Sequence, residues 1–172
     1  MSEYHVPVLA RESVELMDIT PKGTYADLTF GGGGHSSLIL ERLGPEGRLF
    51  SFDQDADAKR NAAEIKDGRF IFIESNFRFL RGQLRMRGAG QLYGIIADLG
   101  VSSHHFDTPE RGFSFRHDAR LEMRMNTRAK KAALEVINDY PAEQLTKIFG
   151  QYGEVDTPWK VASCIERARG GA

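Results

Sequence analysis

A chain of 172 residues with 41% apolar content can bury one proper core, and a net charge of −1 excludes a protein held to nucleic acid or membrane by bulk charge alone. The single cysteine, Cys164, excludes an internal disulfide and fits a reducing compartment, where it reads as a small packed hydrophobe. No apolar run approaches the roughly 18 residues of a membrane span, and the first residues lack the basic start and long apolar stretch of a secretion signal, so the expected location is cytoplasmic.

In chain order, Pro7–Met17 spaces Val8, Leu9, Val14, Leu16 and Met17 as a short amphipathic helix, with Pro7 in its first turn. Pro21-Lys22-Gly23 turns the chain into a first strand with Tyr25, Ala26, Leu28 and Phe30, which runs into four glycines, Gly31–Gly34, and leaves as a helix over Ser36–Leu43. Arg48–Asp53 is a second strand, Asp55–Lys66 a second crossover helix, Arg69–Glu74 a third strand, Phe77–Arg87 a third crossover helix and Leu92–Leu99 a fourth strand. Strands alternating with helices predict an α/β fold with a doubly wound, mainly parallel sheet of order 3-2-1-4. Gly100 to about Asn126 has no sustained period and follows a strand's carboxyl end, where such sheets keep their ligands. Helical signals return from Ala129. The expected domains are 1–126, a cofactor-binding domain that includes the 100–126 loop, and 127–172, a helical segment.

The stretch Thr24–Leu40 carries the functional signal. Glycines admit positive φ and a close approach of ligand to backbone, and the free N–H groups of a helix's first turn favour an anionic or strongly polar group. The alternative is a glycine-rich surface turn. Asp53 follows Gly31 by 22 residues at the end of the second strand, where nucleotide-binding α/β folds put the carboxylate that accepts from a ribose diol. A dinucleotide fingerprint wants a third glycine at Ser36, which makes NAD the second choice, and no Gly-Lys-Ser/Thr follows the glycines as a triphosphate loop requires. S-adenosylmethionine fits better: its ribose suits Asp53, its aminoacyl carboxylate suits the glycine shelf, and its sulfonium tolerates acids such as Asp27 and Asp98. Asp27 reads equally as a capping or strand-end residue.

HVPVL at His5–Leu9, DLTFGGGGHS at Asp27–Ser36, DLGVSS at Asp98–Ser103 and ERGFSF at Glu110–Phe115 occur in one order, extended by LEMRM at Leu121–Met125 and YGE at Tyr152–Glu154. In these motifs the sequence resembles the RsmH (MraW) family of S-adenosylmethionine-dependent methyltransferases. The resemblance implies a Rossmann-like methyltransferase fold and methylation of the N4 atom of a cytidine in 16S ribosomal RNA, with the RNA or the small ribosomal subunit as partner. It also implies that Gly33, Gly34 and His35 line the methionine end of the cofactor, that Asp53 holds the ribose, that Phe77 lies against the adenine and that Asp98 sits beside the reacting centre. The resemblance also implies a cofactor contact at His105, which stands where the family usually has glutamine, and His104 replaces a proline. Family members continue beyond the length of this chain into further strands, so the resemblance implies the first part of an enzyme, in a truncated or naturally short form with little methyl transfer of its own.

A cytosine exocyclic amine is a poor nucleophile, and Asp98 is the candidate catalytic residue that accepts a hydrogen bond from it; the alternative is that Asp98 only contacts cofactor. Ser102 and Ser103 have no evident base and read as turn residues. His35, His104 and His105 lack a zinc-ligand pattern, and the transfer needs no metal. Arg111–Lys131 holds seven Lys or Arg against Asp118 and Glu122, in a chain that is otherwise acidic. Arg116, Arg120 and Arg124, with Arg128, recur every fourth residue and would form one basic stripe for RNA if the segment were helical, with Phe113 and Phe115 available to stack on bases. A solvated charged face is the alternative. A NAD-type oxidoreductase and a non-catalytic cofactor- or RNA-binding fragment are the rival functions. With no strand signal after Leu99, the fourth strand is expected to be a sheet edge exposing Tyr93, Ile95, Ile96 and Leu99, which invites a homodimer or coverage by the chain's own carboxyl-terminal helices.

Overall fold

The computed structural model describes residues 9–169, so Pro7, Val8 and the first four residues of the His5–Leu9 motif lie outside the described residues. The chain divides into two compact units, one formed by the described residues up to His104 with Met125–Thr127, the other by His105–Arg124 with the residues from Arg128.

In the first unit, α1 (Ala10–Leu16) leads to β1 (Thr24–Asp27), α2 (Gly34–Arg42), β2 (Arg48–Asp53), α3 (Ala56–Ala62), β3 (Phe70–Glu74), a 3₁₀ turn at Phe77–Phe79, α4 (Leu80–Met86) and β4 (Gly94–Ile96). The four strands pair in parallel, as the alternation of elements predicts, and stand in the order β3-β2-β1-β4 expected of the doubly wound sheet. Parallel pairing puts all four carboxyl ends on one rim, which is the geometric reason that the glycine loop, Asp53, Phe77 and Asp98 all lie along the same edge of the sheet.

The pleat sorts β2 between two layers. Leu49 joins Val14, Tyr25, Ile39, Leu40 and Leu43 beneath α1 and α2, while Phe50 and Phe52 join Ile73 and Leu84 on α4. Ser51 shares the face of Leu49, and Asp27 that of Tyr25, so two polar side chains enter the layer under α2. A smaller cluster of Phe30, Ala58 and Ala62 packs α3 against the chain leaving β1.

Three expected elements are shorter than the sequence suggests. α3 ends at Ala62, because Glu64 N–H and Ile65 N–H turn back to the carbonyls of Asn61 and Ala62, which lets Ile65 reach the core. The third crossover helix opens as a 3₁₀ turn capped by Asn76, whose side chain accepts from Arg78 N–H. β4 covers only Gly94–Ile96; Leu28 N–H still bonds Ile96 O at 2.9 Å, but Asp98 N–H goes to the Thr29 hydroxyl, so backbone pairing stops between them. β4 is an edge strand with Tyr93, Ile95 and Leu99 exposed, whereas Ile96 is half-buried against the core cluster.

The second unit carries a 3₁₀ turn at Pro109–Arg111, the helices α6 (Ala133–Asp139), α7 (Ala142–Tyr152) and α8 (Pro158–Arg169), and the end of α5 (Ser103–Asp107), which begins in the first unit. Leu145 of α7 and Ala162 of α8 are fully buried, and Arg169 donates to the carbonyls of Ile137 and Tyr140 at the end of α6. Residues 112–132 contain no helix, so the four-residue spacing of Arg116, Arg120, Arg124 and Arg128 does not produce a stripe. Pro109, Gly112 and the left-handed Met123 (φ 50°) account for that.

Candidate cofactor site

The shelf is built as the chain leaves β1. Gly31 and Gly33 take positive φ, 50° and 82°, and Gly33 N–H bonds Phe30 O at 2.7 Å. A Cβ on Gly33 would lie 2.9 Å from the Phe30 ring, which is itself buried between Phe70 and Phe72, so only glycine fits without displacing the core. Gly33 caps α2, whose first i→i−4 bond runs from Ser37 N–H to Gly33 O at 2.9 Å. The N–H groups of Gly34, His35 and Ser36 precede that bond and supply the positive end of the helix dipole.

Asp53 joins the second strand to this loop. One carboxylate oxygen accepts from Gly31 N–H and the other from Asp55 N–H, both at 2.9 Å. Each oxygen keeps a further lone pair for a ligand hydroxyl. Asn61, a residue that no spacing singles out, donates from α3 to Gly31 O at 3.0 Å, so the Gly31 residue is held at both its N–H and its C=O.

Phe77 follows β3 at the same rim, 39% exposed, and Asn76 beside it donates to Gln54 Oε1 at 3.3 Å, tying the ends of β2 and β3 together. Asp98 follows β4, exposed, with its N–H on Thr29 Oγ1 at 2.8 Å. His35 is buried on α2. Gly33, Gly34, His35, Asp53, Phe77 and Asp98 thus share the carboxyl rim of one sheet. His105 belongs to the second unit, where it is buried with its ring tilted 65° against Phe113 at 5.3 Å between centroids. His104 bonds Asp57 at 2.8 Å through Nε2.

Asp27 is not a surface acid facing the ligand. It is fully buried, accepting from Thr29 N–H at 3.0 Å and from Ser36 Oγ at 2.7 Å, and Ser36 Oγ lies 2.7 Å from Ser51 Oγ. Burial pushes its carboxyl pKa up, against the hydrogen bonds from Ser36 and Thr29, which pull it down.

Of the arginines expected to face RNA, Arg120 pairs with Glu135 at 3.1 Å and Arg124 with Glu122 and the carbonyl of Ala129. Arg116 is exposed, next to a fully exposed Phe115. Among the described residues no three His, Cys, Asp or Glu side chains assemble as a metal site.

A parallel sheet of order 3-2-1-4, a left-handed glycine turn opening a helix after the first strand and a carboxylate closing on that turn from the second define a Rossmann-like methyltransferase fold. The MraW methylase family model matches residues 2–172, and the chain belongs to that family. Among curated relatives it is similar to the ribosomal RNA small subunit methyltransferase H of Bacteroides fragilis, 57% identical over 168 residues, covering 98% of this chain and 55% of the relative. Proteins of the same name from Parabacteroides distasonis (56% identical, 96% of this chain, 54% of the relative) and Flavobacterium johnsoniae (52%, 97% and 55%) match similarly. The chain therefore spans about half the length of the curated relatives it matches.

Proposed function

We propose that this chain is the cofactor-binding part of an S-adenosylmethionine-dependent methyltransferase acting on the N4 amine of a cytidine in 16S ribosomal RNA. The observation that supports the reading is the 2.9 Å bond by which Gly31 N–H donates to Asp53, joining the glycine turn to the strand-end carboxylate. The names of the relatives, all ribosomal RNA small subunit methyltransferases, supply the substrate class.

The bound cofactor supplies a methyl group on a sulfonium, already activated for attack. The N–H groups at Gly34 and His35 meet its aminoacyl carboxylate, Gly33 gives the close approach, Asp53 accepts from the ribose hydroxyls and Phe77 covers the adenine. Asp98 accepts a hydrogen bond from the cytosine amine, turning the nitrogen lone pair toward the methyl carbon and easing the positive charge that builds as nitrogen attacks. Arg116, Arg120 and Arg124 contact RNA phosphates, and the exposed β4 edge is the face through which two copies would pair.

Calorimetric titration with S-adenosylmethionine and with NAD tests the cofactor: heat with the first and none with the second is expected, and binding of NAD alone overturns the reading. Tritiated-methyl transfer to small-subunit RNA, followed by digestion to nucleosides, tests the substrate. Label recovered in a nucleoside other than N4-methylcytidine removes the N4 assignment.

A further inference from the structure

The rim stands on a hydrogen-bond chain that ligand contacts alone do not explain. It runs from Ser51 on β2 to Ser36 in the first turn of α2 (2.7 Å), from Ser36 to Asp27 (2.7 Å), from Asp27 to Thr29 N–H (3.0 Å), and from the Thr29 hydroxyl to Asp98 N–H (2.8 Å). Asp27, Ser36 and Ser51 are fully buried and Thr29 is half-buried. The last link falls where the backbone ladder between β1 and β4 has stopped, so the Thr29 side chain does for Asp98 what a strand carbonyl would do further down.

We infer that Thr29 is a positioning residue: its hydroxyl fixes the main chain at Asp98, and its own N–H, held by Asp27, locks that placement to the first turn of α2. One residue thereby sets the spacing between the helix end that receives the cofactor's charged group and the acid beside the reacting amine. Threonine suits the task because branching at Cβ restricts χ1, so the acceptor stays in one place. The inference rests on the proposed reading of Asp98 as a residue that borders the bound cofactor as well as the amine.

Thr29→Val keeps the shape and removes the acceptor, whereas Thr29→Ser keeps the acceptor. In the 172-residue chain, amide exchange at Asp98 followed by NMR is expected to speed up about tenfold in Thr29→Val, and calorimetric affinity for S-adenosylmethionine to fall about fivefold, the scale of one neutral hydrogen bond. Thr29→Ser is expected to restore both to near the parent, with cooperative urea unfolding in every variant. A merely structural threonine would not give recovery of cofactor affinity in step with Asp98 protection. Parental exchange at Asp98 in Thr29→Val overturns the inference, as does faster exchange with parental affinity. If valine prevents folding, Thr29→Ala carries the same expectations. If the parent itself does not bind S-adenosylmethionine, the proposed function fails separately, and exchange at Asp98 alone decides whether Thr29 holds it.

Discussion

Asp27 and Ser36, neither with any solvent exposure, share a 2.7 Å hydrogen bond that fastens the first turn of α2 to the end of β1. A carboxyl group in that setting is an anchor whose strength depends on its proton. Its pKa is raised in the folded protein from 3.8, so the stability it contributes is complete below that value and is lost as the pH rises through the folded pKa.

The first prediction follows directly. Urea unfolding of Asp27→Asn, compared with the parent across pH 3–7, is expected to show the variant's relative stability flat below pH about 4 and rising with pH above it. Asp27→Ala, which strands the Thr29 N–H and one partner of Ser36, is expected to cost about 2–3 kcal/mol. A constant difference at all pH values would mean that Asp27 does not titrate with folding.

Asp67 acts in the opposite sense. Hydrogen bonds from Arg69 lower its pKa to about 2, so the stability it adds is present above 3.8 and lost as the pH falls toward 2. Asp67→Asn is expected to lower stability at neutral pH and to converge on the parent near pH 2, which flattens the acid limb of the unfolding profile measured by circular dichroism.

Two glycines of the shelf separate conformational strain from steric strain. Gly31→Ala meets only the Thr29 carbonyl at 3.9 Å and is expected to cost about 1 kcal/mol, the penalty of a left-handed alanine. Gly33→Ala adds a clash with the packed Phe30 ring and is expected to cost at least about twice as much. Equal shifts in the denaturation midpoint would argue that the ring yields.

Asp53→Ala is expected to weaken S-adenosylmethionine binding by roughly 1–3 kcal/mol, because ribose hydroxyls lose an acceptor and Gly31 loses its tether. Calorimetry reads this directly, and an unchanged affinity removes Asp53 from the site.

For RNA, the arginines are expected to divide by their partners. Arg116→Ala should lower affinity and reduce the salt slope by about one with no change in unfolding, since a phosphate contact carries one counterion's worth of salt dependence. Arg124→Ala should also destabilise the second unit, because its guanidinium binds Glu122 and the carbonyl of Ala129. Salt titration of binding beside thermal unfolding distinguishes the two.

The strand Arg48–Asp53 was legible to its ends because an apolar run lies between a glycine turn and an acid, and the parallel pairing follows from the alternation of elements. The early end of β4 was not, because it depends on a side-chain acceptor on another strand, which no periodicity encodes. The arginine spacing misled for a related reason: a repeat of four means a face only on a helix, and this backbone turns at Gly112 and Met123 instead. Asp27 looked like one more acid at a strand end. Its burial is visible only once Ser36 and Ser51 converge on it.

The link from Asp98 to Thr29 spans 69 residues, whereas β1 meets β2, and β2 meets β3, across roughly a third of that separation. Closing the longer loop costs about 1 kcal/mol more in chain entropy, and that cost falls on β4 alone. In refolding, β1 to β3 with their helices are therefore expected to condense first and β4 to dock onto them last. The half of the rim that holds Asp53 then exists before the half that holds Asp98. Under the proposed function, a refolding molecule would recognise a nucleoside before it could act on an amine, and stopped-flow fluorescence of an added adenosine analogue is expected to gain amplitude ahead of any signal from β4.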